Sequence, residues 1–348
     1  MNRTTMKAAV LHAPADLRIE QVALPGYGED EVLVEVKAAG ICGSDIDRIM
    51  TTGTYRFPTI PGHEFSGVVA KVGNGVTRFA PGDRVAVAPI LPCYHCDYCQ
   101  QGDYGLCDHY NYLGSRTDGG FAGYVAAPQQ NLVRLPDDVD FASGAMVEPA
   151  AVTLHGMMRA GIRAGDCVAV LGCGALGLFA IQFARILGAT RIIASDIASD
   201  KLVLARQMGA TETIDARSVD PLATISALGM ADVTVETAGA CATQVQALAV
   251  TRKHGRVLYL GSAHADVVIP AAQFELLLRR ELTLTGSWNS FSAPFPGREW
   301  PAAIDYMQNG ALLTKPLITH TISLDALPQF MRDMKHRTVT YTKVIVEL

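Results

Sequence analysis

The sequence is short of charge, and the charge it has is spread out. Charged residues make up 18% of its 348 positions, below the average for soluble proteins, and the net charge is −5. Acidic and basic residues are mixed along the chain and no basic block stands out, which argues against nucleic acid as a partner. A run of apolar residues long enough to span a bilayer is missing too. The longest apolar stretch, 168–183, is broken by Gly172, Gly174 and Gly177, and it is too short and too glycine-rich for a good membrane helix. The opening residues, MNRTTMKAAVLHAP, hold no apolar run followed by a small-residue cleavage site. A cytoplasmic location without membrane attachment is the resulting expectation. Internal repeats and low-complexity segments are absent as well.

What is present is enough apolar material, 49% of the chain, for two ordinary domains. The first part reads as short strands at 7–12, 18–23, 31–38, 65–72, 84–88 and 121–126, separated by turn signals such as Pro25-Gly26 and Pro81-Gly82-Asp83. That spacing predicts an antiparallel, barrel-like domain. Near residue 150 the pattern changes. After a helix at 149–159, strands at 168–172, 191–196, 232–236 and 256–261 alternate with helices at 176–187, 201–208 and 242–252. Strand–helix alternation implies parallel βαβ units. A proline-rich stretch around Pro294 and Pro296 interrupts this, and a last strand at 339–348 is expected to rejoin the first domain. The fold class expected is therefore α/β plus β, with 1–151 and 290–348 as one domain and 152–289 as the other.

Eight cysteines occur, at 42, 93, 96, 99, 107, 167, 173 and 241. Cys93, Cys96, Cys99 and Cys107 are crowded into fifteen residues. In a long chain without an export signal, such crowding points to metal rather than disulfides. Four thiolates satisfy a tetrahedral zinc and leave no open position, so this site staples a loop and does no chemistry. Four reduced surface cysteines, or a Cys-x-x-Cys redox pair, are the plainer alternatives, and the spacing disfavours them. His95 lies inside the cluster, but the cysteines already complete it.

The segment Gly172-Cys173-Gly174-Ala175-Leu176-Gly177 follows one expected strand and opens one expected helix. That context turns a weak glycine pattern into a dinucleotide loop. Gly172 permits the turn, Gly174 lets backbone approach a pyrophosphate, and Gly177 allows close helix–strand packing. The helix N-terminus, at Ala175 and Leu176, supplies free N–H groups. Asp196 ends the next strand, where a carboxylate accepts from ribose hydroxyls and repels a 2′-phosphate, favouring NAD over NADP. Lys201 is placed to assist at the ribose edge. Simple strand–helix packing for the glycines, and helix capping for Asp196, are the plainer alternatives.

Two further pieces, Gly40-Ile-Cys42-Gly-Ser44-Asp45 and Gly62-His63-Glu64-Phe-Ser-Gly67, are weak when taken singly. Together with Val147-Glu148-Pro149 they offer a thiolate, an imidazole and a carboxylate, the donor set of an open catalytic zinc.

At this point the whole chain resembles the medium-chain dehydrogenase/reductase superfamily, through GICGSD, GHEFSGVV, PGDRV, the four-cysteine lobe, VEPAAVTLH and GCGALG. The Glu148-Pro149 pair resembles the polyol dehydrogenase branch. Within that branch GSRTDGGFAGY (114–124) and GSWNSFSAPFPGREW (286–300) resemble members acting on a polyol phosphate. The resemblance implies a GroES-like β-barrel catalytic domain and a Rossmann domain, NAD as cofactor and two zinc ions per chain. It implies that Cys42, His63 and Glu148 ligate the catalytic zinc, with water, substrate or Glu64 in the remaining position. Asp45 would hydrogen-bond the far nitrogen of His63, and Ser44 would pass the substrate proton onward. Asp47 stands where many alcohol dehydrogenases place a histidine that ends the proton relay.

The reaction expected is oxidation of a secondary alcohol of a polyol or polyol phosphate to the ketose. Arg48, Arg116 and Arg298 are the candidate cations for a phosphate, and Phe121, Trp288 and Asn289 the candidate pocket wall. The resemblance also implies a homodimer or homotetramer, and a strand candidate at 267–269 could extend a sheet across the interface. The rival readings are a dehydrogenase for a free sugar alcohol, threonine or a vicinal diol; a zinc-free quinone or enone reductase; and a non-enzymatic zinc protein that is structural or binds nucleic acid.

Overall fold

The computed structural model describes residues 4–348, and the chain divides into two compact units. One comprises residues up to Glu148, Phe291–Gln308 and Ile318–Leu348; the other comprises Pro149–Ser290 and Asn309–Leu317. The short piece 309–317 joins the second unit rather than the rest of the C-terminal segment. There the Leu313 N–H donates to Gln182 Oε1 (2.7 Å), and Gln182 Nε2 donates back to Leu313 O (3.1 Å).

The chain opens with a hairpin of β1 (Thr5–Ala13) and β2 (Asp16–Ala23), followed by β3 (Glu31–Gly40) and a single helical turn, α1 (Gly43–Asp47). Next come β4 (Glu64–Val72), β5 (Arg84–Val87) and the two-residue strand β6 (Ile90–Leu91). The cysteine lobe carries α2 (Asp97–Gln101) and leads to β7 (Asn111–Tyr112), which pairs with β6. After it run β8 (Tyr124–Pro128), β9 (Leu132–Arg134), α3 (Phe141–Gly144) and α4 (Val147–Arg159).

The second unit continues with β10 (Cys167–Leu171), α5 (Ala175–Ile186), β11 (Arg191–Asp196), α6 (Ser199–Gln207), β12 (Glu212–Asp215), α7 (Pro221–Ala227) and β13 (Ala231–Glu236). Then follow α8 (Cys241–Val250), β14 (Thr251–Tyr259), α9 (Ala271–Arg279) and β15 (Thr283–Gly286). The chain returns to the first unit through α10 (Glu299–Gln308), β16 (Ile318–Ser323), α11 (Leu327–His336) and β17 (Lys343–Glu347).

The first unit is built on a sheet in the order β16-β17-β3-β4-β5-β9, with β8 also paired to β3. It is antiparallel except where β16 runs parallel to β17. The expected strand at 121–126 begins later, at Tyr124. Phe121 and Ala122 instead turn inward, Ala122 bridging to Ala8, and both join the core with Phe65, Val85 and Val344.

The second unit holds six parallel strands in the order β12-β11-β10-β13-β14-β15. The parallel βαβ units are those expected from strand–helix alternation, and the order is that of the Rossmann domain the resemblance implied. The chain works outward from β10 to β12, then jumps back to β13 on the other side, so the switch point lies between β10 and β13. β10 reads Cys-Val-Ala-Val-Leu without polar alternation because helices cover both faces of a parallel sheet. Residues 267–269, expected to pair across a subunit interface, are exposed and join no ladder within the chain among the described residues. They lead into Pro270 at the start of α9, and β15 is the last strand of the sheet on that side.

Candidate functional site

In the lobe the four cysteine sulfurs lie within 4.8 Å of one another. Cys93 Sγ is 4.0 Å from Cys99 Sγ, and Cys96 Sγ is 3.9 Å from Cys107 Sγ. Sulfurs placed tetrahedrally about a zinc have edges of about 3.8 Å, so these thiols are spaced for a shared ion and far too distant for disulfides. Backbone N–H groups aim inward: Cys93 N–H donates to Cys107 Sγ (3.3 Å) and Cys96 N–H to Cys93 Sγ (3.4 Å). Backbone N–H donation holds the Cys96 thiol down at about 6, whereas burial pushes Cys99 up to about 12. A cation at the centre favours the thiolate at all four positions. His95 turns back onto the Cys93 carbonyl (2.7 Å) and takes no part.

The second cluster draws on separated parts of the same unit. Cys42 precedes α1, His63 immediately precedes β4 and Glu64 opens it. Their ligand atoms also lie within 4.8 Å of one another. Asp45 sits behind His63, fully buried, with Oδ1 3.2 Å from His63 Nδ1, close enough for an ion pair but out of line for a hydrogen bond. Its carboxylate is itself held by the Cys42 N–H (3.1 Å) and by Arg48 Nη1 (2.9 Å). Burial opposes charge on both partners, but the mutual attraction wins. His63 is raised well above its ordinary range by Asp45 and Cys42, and Asp45 is lowered.

Glu64, not Glu148, closes this trio. The Glu148 carboxylate is engaged by the Tyr112 hydroxyl, which donates to Oε1 (3.3 Å), and the Tyr112 ring packs edge-on against His63. Burial pushes Glu148 up to about 7, Glu64 adding to the effect against His63 and Lys343. Glu64 is held from the last strand: Lys343 Nζ forms a buried ion pair with Glu64 Oε2 and donates to Ile41 O (3.1 Å). Ser44 is exposed and its Oγ donates to Cys42 Sγ (3.3 Å). Asp47 is bound by Lys335 Nζ (2.9 Å).

Lys343 and Tyr112 had no place in the sequence reading. A lone lysine in the apolar run Lys-Val-Ile-Val is a usable signal, since a buried lysine needs a partner. Nothing local marks Tyr112.

Among the expected substrate contacts, Phe121 is fully buried in the core, packed against Gly62. Arg48 is committed to Asp45. Arg116 lies between the rings of Tyr55 and Tyr110, with its Cζ 4.3 and 4.2 Å from their centroids. Trp288 and Asn289 belong to the second unit; Trp288 is exposed, and Asn289 has a left-handed backbone (φ +57) and an unpartnered Nδ2.

In the second unit the loop after β10 turns at Gly172, whose φ of +99 suits glycine. A Cβ on Gly177 would stand 1.9 Å from Gly172 O, so the helix can sit this close only with glycine there. Gly174 caps α5 and has open space where a Cβ would point. Ala175 and Leu176 begin the helix, leaving N–H groups directed at that space. Asp196 ties the loop to β11: Oδ2 accepts from Cys173 N–H (2.6 Å) and Oδ1 from Ala198 N–H (2.8 Å). Each oxygen keeps a further lone pair for a ribose hydroxyl. Burial and the charge of Asp196 push the Cys173 thiol up, and the charge of Lys201 opposes them, so Lys201 reaches the loop.

What these parts define is a dinucleotide-binding sheet joined in one chain to a unit with two metal-ready clusters. Residues 28–137 match the family model for the alcohol dehydrogenase GroES-like domain, and residues 175–309 match that for zinc-binding dehydrogenase. Galactitol 1-phosphate 5-dehydrogenase of Escherichia coli K12 is 37% identical over 333 residues, covering 94% of this chain and 96% of that protein. The crystal structure of galactitol-1-phosphate dehydrogenase from Escherichia coli superposes with a TM-score of 0.94 at 37% identity, over 99% of this chain and 100% of that one. A zinc-binding dehydrogenase from Sinorhizobium meliloti 1021, solved with NADP bound, gives 0.92 at 34% identity over 99% and 100%. The chain belongs to the zinc-dependent alcohol and polyol dehydrogenases of the medium-chain superfamily.

Proposed function

We propose that this enzyme oxidises a secondary hydroxyl of a polyol or polyol phosphate to the ketose, with hydride passing to NAD. The observation that carries the reading is the convergence of Cys42, His63 and Glu64 on one point, with Glu148 beside them. Cys42, His63 and Glu64 would hold the catalytic zinc, with Glu148 as the alternative carboxylate. The buried donor set suits a cation: a thiol, an imidazole and two carboxylates share one Lys343. When bound, zinc supplies a Lewis acid that lowers the pKa of the substrate hydroxyl.

The chain's own residues do the rest. Asp45 faces His63 Nδ1 and leaves Nε2 for the metal. Ser44 stands at the exposed side of Cys42 and offers the substrate proton a route to water. Asp47, bound by Lys335, is a carboxylate where a relay histidine stands in many relatives, so solvent completes the route. Glu148 changes protonation near neutrality and can bind a second hydroxyl or exchange a proton with it. Lys343 fixes Glu64. Gly172, Gly174, Gly177 and the α5 N-terminus would hold the pyrophosphate, and Asp196 favours NAD over NADP by repelling a 2′-phosphate. The four lobe cysteines would hold a second, structural zinc.

The eight unpaired cysteines fit a reducing, cytoplasmic setting, and among the described residues no helix is long and apolar enough to cross a membrane. A small-molecule partner and a homodimer or homotetramer complete the reading. Support for self-association comes from the open edge strand β15 and the exposed Val268, Phe274, Leu278 and Leu284 near it.

The test is a panel of polyols and polyol phosphates with NAD and NADP, followed by cofactor absorbance. Turnover with a polyol or its phosphate and preference for NAD are expected. Absence of turnover across the panel by zinc-loaded enzyme contradicts the reading.

A further inference from the structure

Three arginines lie in or near the loops around the second cluster, and two of them are paired. Arg48 is bound to Asp45 and Arg56 to Asp118, each at 2.9 Å. Arg116 has no carboxylate partner among the described residues. Its one hydrogen bond is long, from Nη1 to the Tyr110 carbonyl at 3.3 Å, and its Nε is buried with no acceptor at all. Nη2 has no acceptor among the described residues either. A guanidinium with unused donors is costly to hold in place without an anion, yet this one is clamped between two tyrosine rings, the outer of which, Tyr55, is 70% exposed.

The clamp is fastened to the metal-ligand set. The N–H groups of Ser115, Arg116 and Thr117 all point at Tyr112 O (3.3, 2.9 and 3.0 Å). The following residues are laced onto the segment before His63: Gly119 N–H donates to Ile60 O and Gly120 N–H to Gly62 O, both at 2.7 Å. A Cβ on Gly114 or Gly119 would fall 2.3 or 2.1 Å from Gly62 O, so the loop lies flush against that backbone. Two ring contacts lead from the guanidinium to His63 and Glu148: Tyr110 against Tyr112 at 6.2 Å, and Tyr112 against His63 at 5.8 Å. A cation without a carboxylate partner is therefore linked to the His63 and Glu148 side of the cluster through two tyrosine rings.

We infer that Arg116 is the specificity residue that reads the charged end of the substrate, so that the preferred substrate is an acidic polyol whose terminal anion, a phosphate ester or a carboxylate, seats on the open Nη edge of the guanidinium. The inference rests on the polyol-oxidising reading above and deepens it. Among the candidate cations it selects Arg116 over Arg48, whose charge is spent on Asp45.

The experiment compares kcat/KM for a hexitol phosphate, the matching aldonate and the free hexitol, in wild type, Arg116→Ala, Arg116→Gln and Arg116→Lys. The ratio of acidic to neutral substrate should fall about 10- to 100-fold in the Ala and Gln variants and recover in part in Lys. Which ratio falls further, phosphate or aldonate, identifies the anion. Ratios equal in wild type and both neutral variants overturn the inference, and because a ratio is read, a loss of folded enzyme does not imitate the effect. Thermal unfolding with inorganic phosphate is the second readout. Phosphate should raise the wild-type midpoint and leave that of Arg116→Gln where it was; equal shifts, or none in wild type, overturn the assignment. If no polyol is oxidised, the polyol reading fails, while the phosphate shift still decides whether Arg116 is an anion site.

Discussion

The two metal-ready clusters use cysteine in opposite ways. The lobe takes four thiols from fifteen consecutive residues, surrounds them with backbone N–H groups and admits no other side-chain donor. The other cluster takes one thiol and sets it among buried ionisable groups from α1, β4, α4 and β17: Asp45, His63, Glu64, Glu148 and Lys343. A closed set of sulfurs binds an ion and is finished. A mixed set with more carboxylates than one ion needs leaves a position to exchange, which is what a reacting hydroxyl requires. On the proposed reading, the conspicuous cluster is the inert one.

The sharpest way to break this comparison is to remove one ligand from each. His63→Ala should lower turnover about a thousandfold or more, since several kcal/mol of Lewis-acid stabilisation disappears, while circular dichroism shows the fold intact. Cys99→Ala should act the other way, lowering the thermal midpoint by on the order of ten degrees and the rate per folded molecule far less. A His63→Ala protein that turns over at the normal rate, or a Cys99→Ala protein with an unchanged midpoint, ends the distinction.

A finer test concerns the buried ion pair. Lys343→Met leaves the Glu64 carboxylate buried without its counter-charge and should cost about 3–5 kcal/mol in denaturant unfolding of the metal-free protein. Replacing both residues, Lys343→Met with Glu64→Gln, should restore most of it, because two neutral groups owe no desolvation. No recovery in the double variant shows that the lysine acts through packing alone.

The smallest effect expected is one of pH. Glu148 sits at about 7 in the metal-free protein against an ordinary 4.5, so the folded state holds a proton that the unfolded chain has released. Stability contributed at this position is therefore lost as pH rises from about 4.5 through 7, by up to roughly 3 kcal/mol. Glu148→Gln, unable to release that proton, should lack this fall when the two proteins are unfolded across that range.

How much of this could be read beforehand follows from distance along the chain. The cysteine lobe and the glycine loop are contiguous, so spacing alone carried them, and the parallel sheet followed from strand–helix alternation. The donor set around Cys42 was legible as residue types. Its internal order was not, because Lys343, which binds Glu64, and Tyr112, which binds Glu148, reach the site from β17 and β7. The burial of Phe121 was not legible either, because it depends on Gly62, whose missing Cβ lets the ring pack against its backbone. The strand expected at 267–269 needs a second copy to pair with, so its exposed β-branched residues join no ladder within one chain.

The central claim is that one cluster works and the other staples. Titrating the zinc-loaded enzyme with a chelator, while following zinc release, turnover and the thermal midpoint together, tests it most directly. The account predicts two zinc ions per chain: the first to leave takes the turnover with the fold intact, and the second leaves with the loss of stability. Turnover that survives the first release, or a protein that never holds more than one zinc per chain, contradicts it.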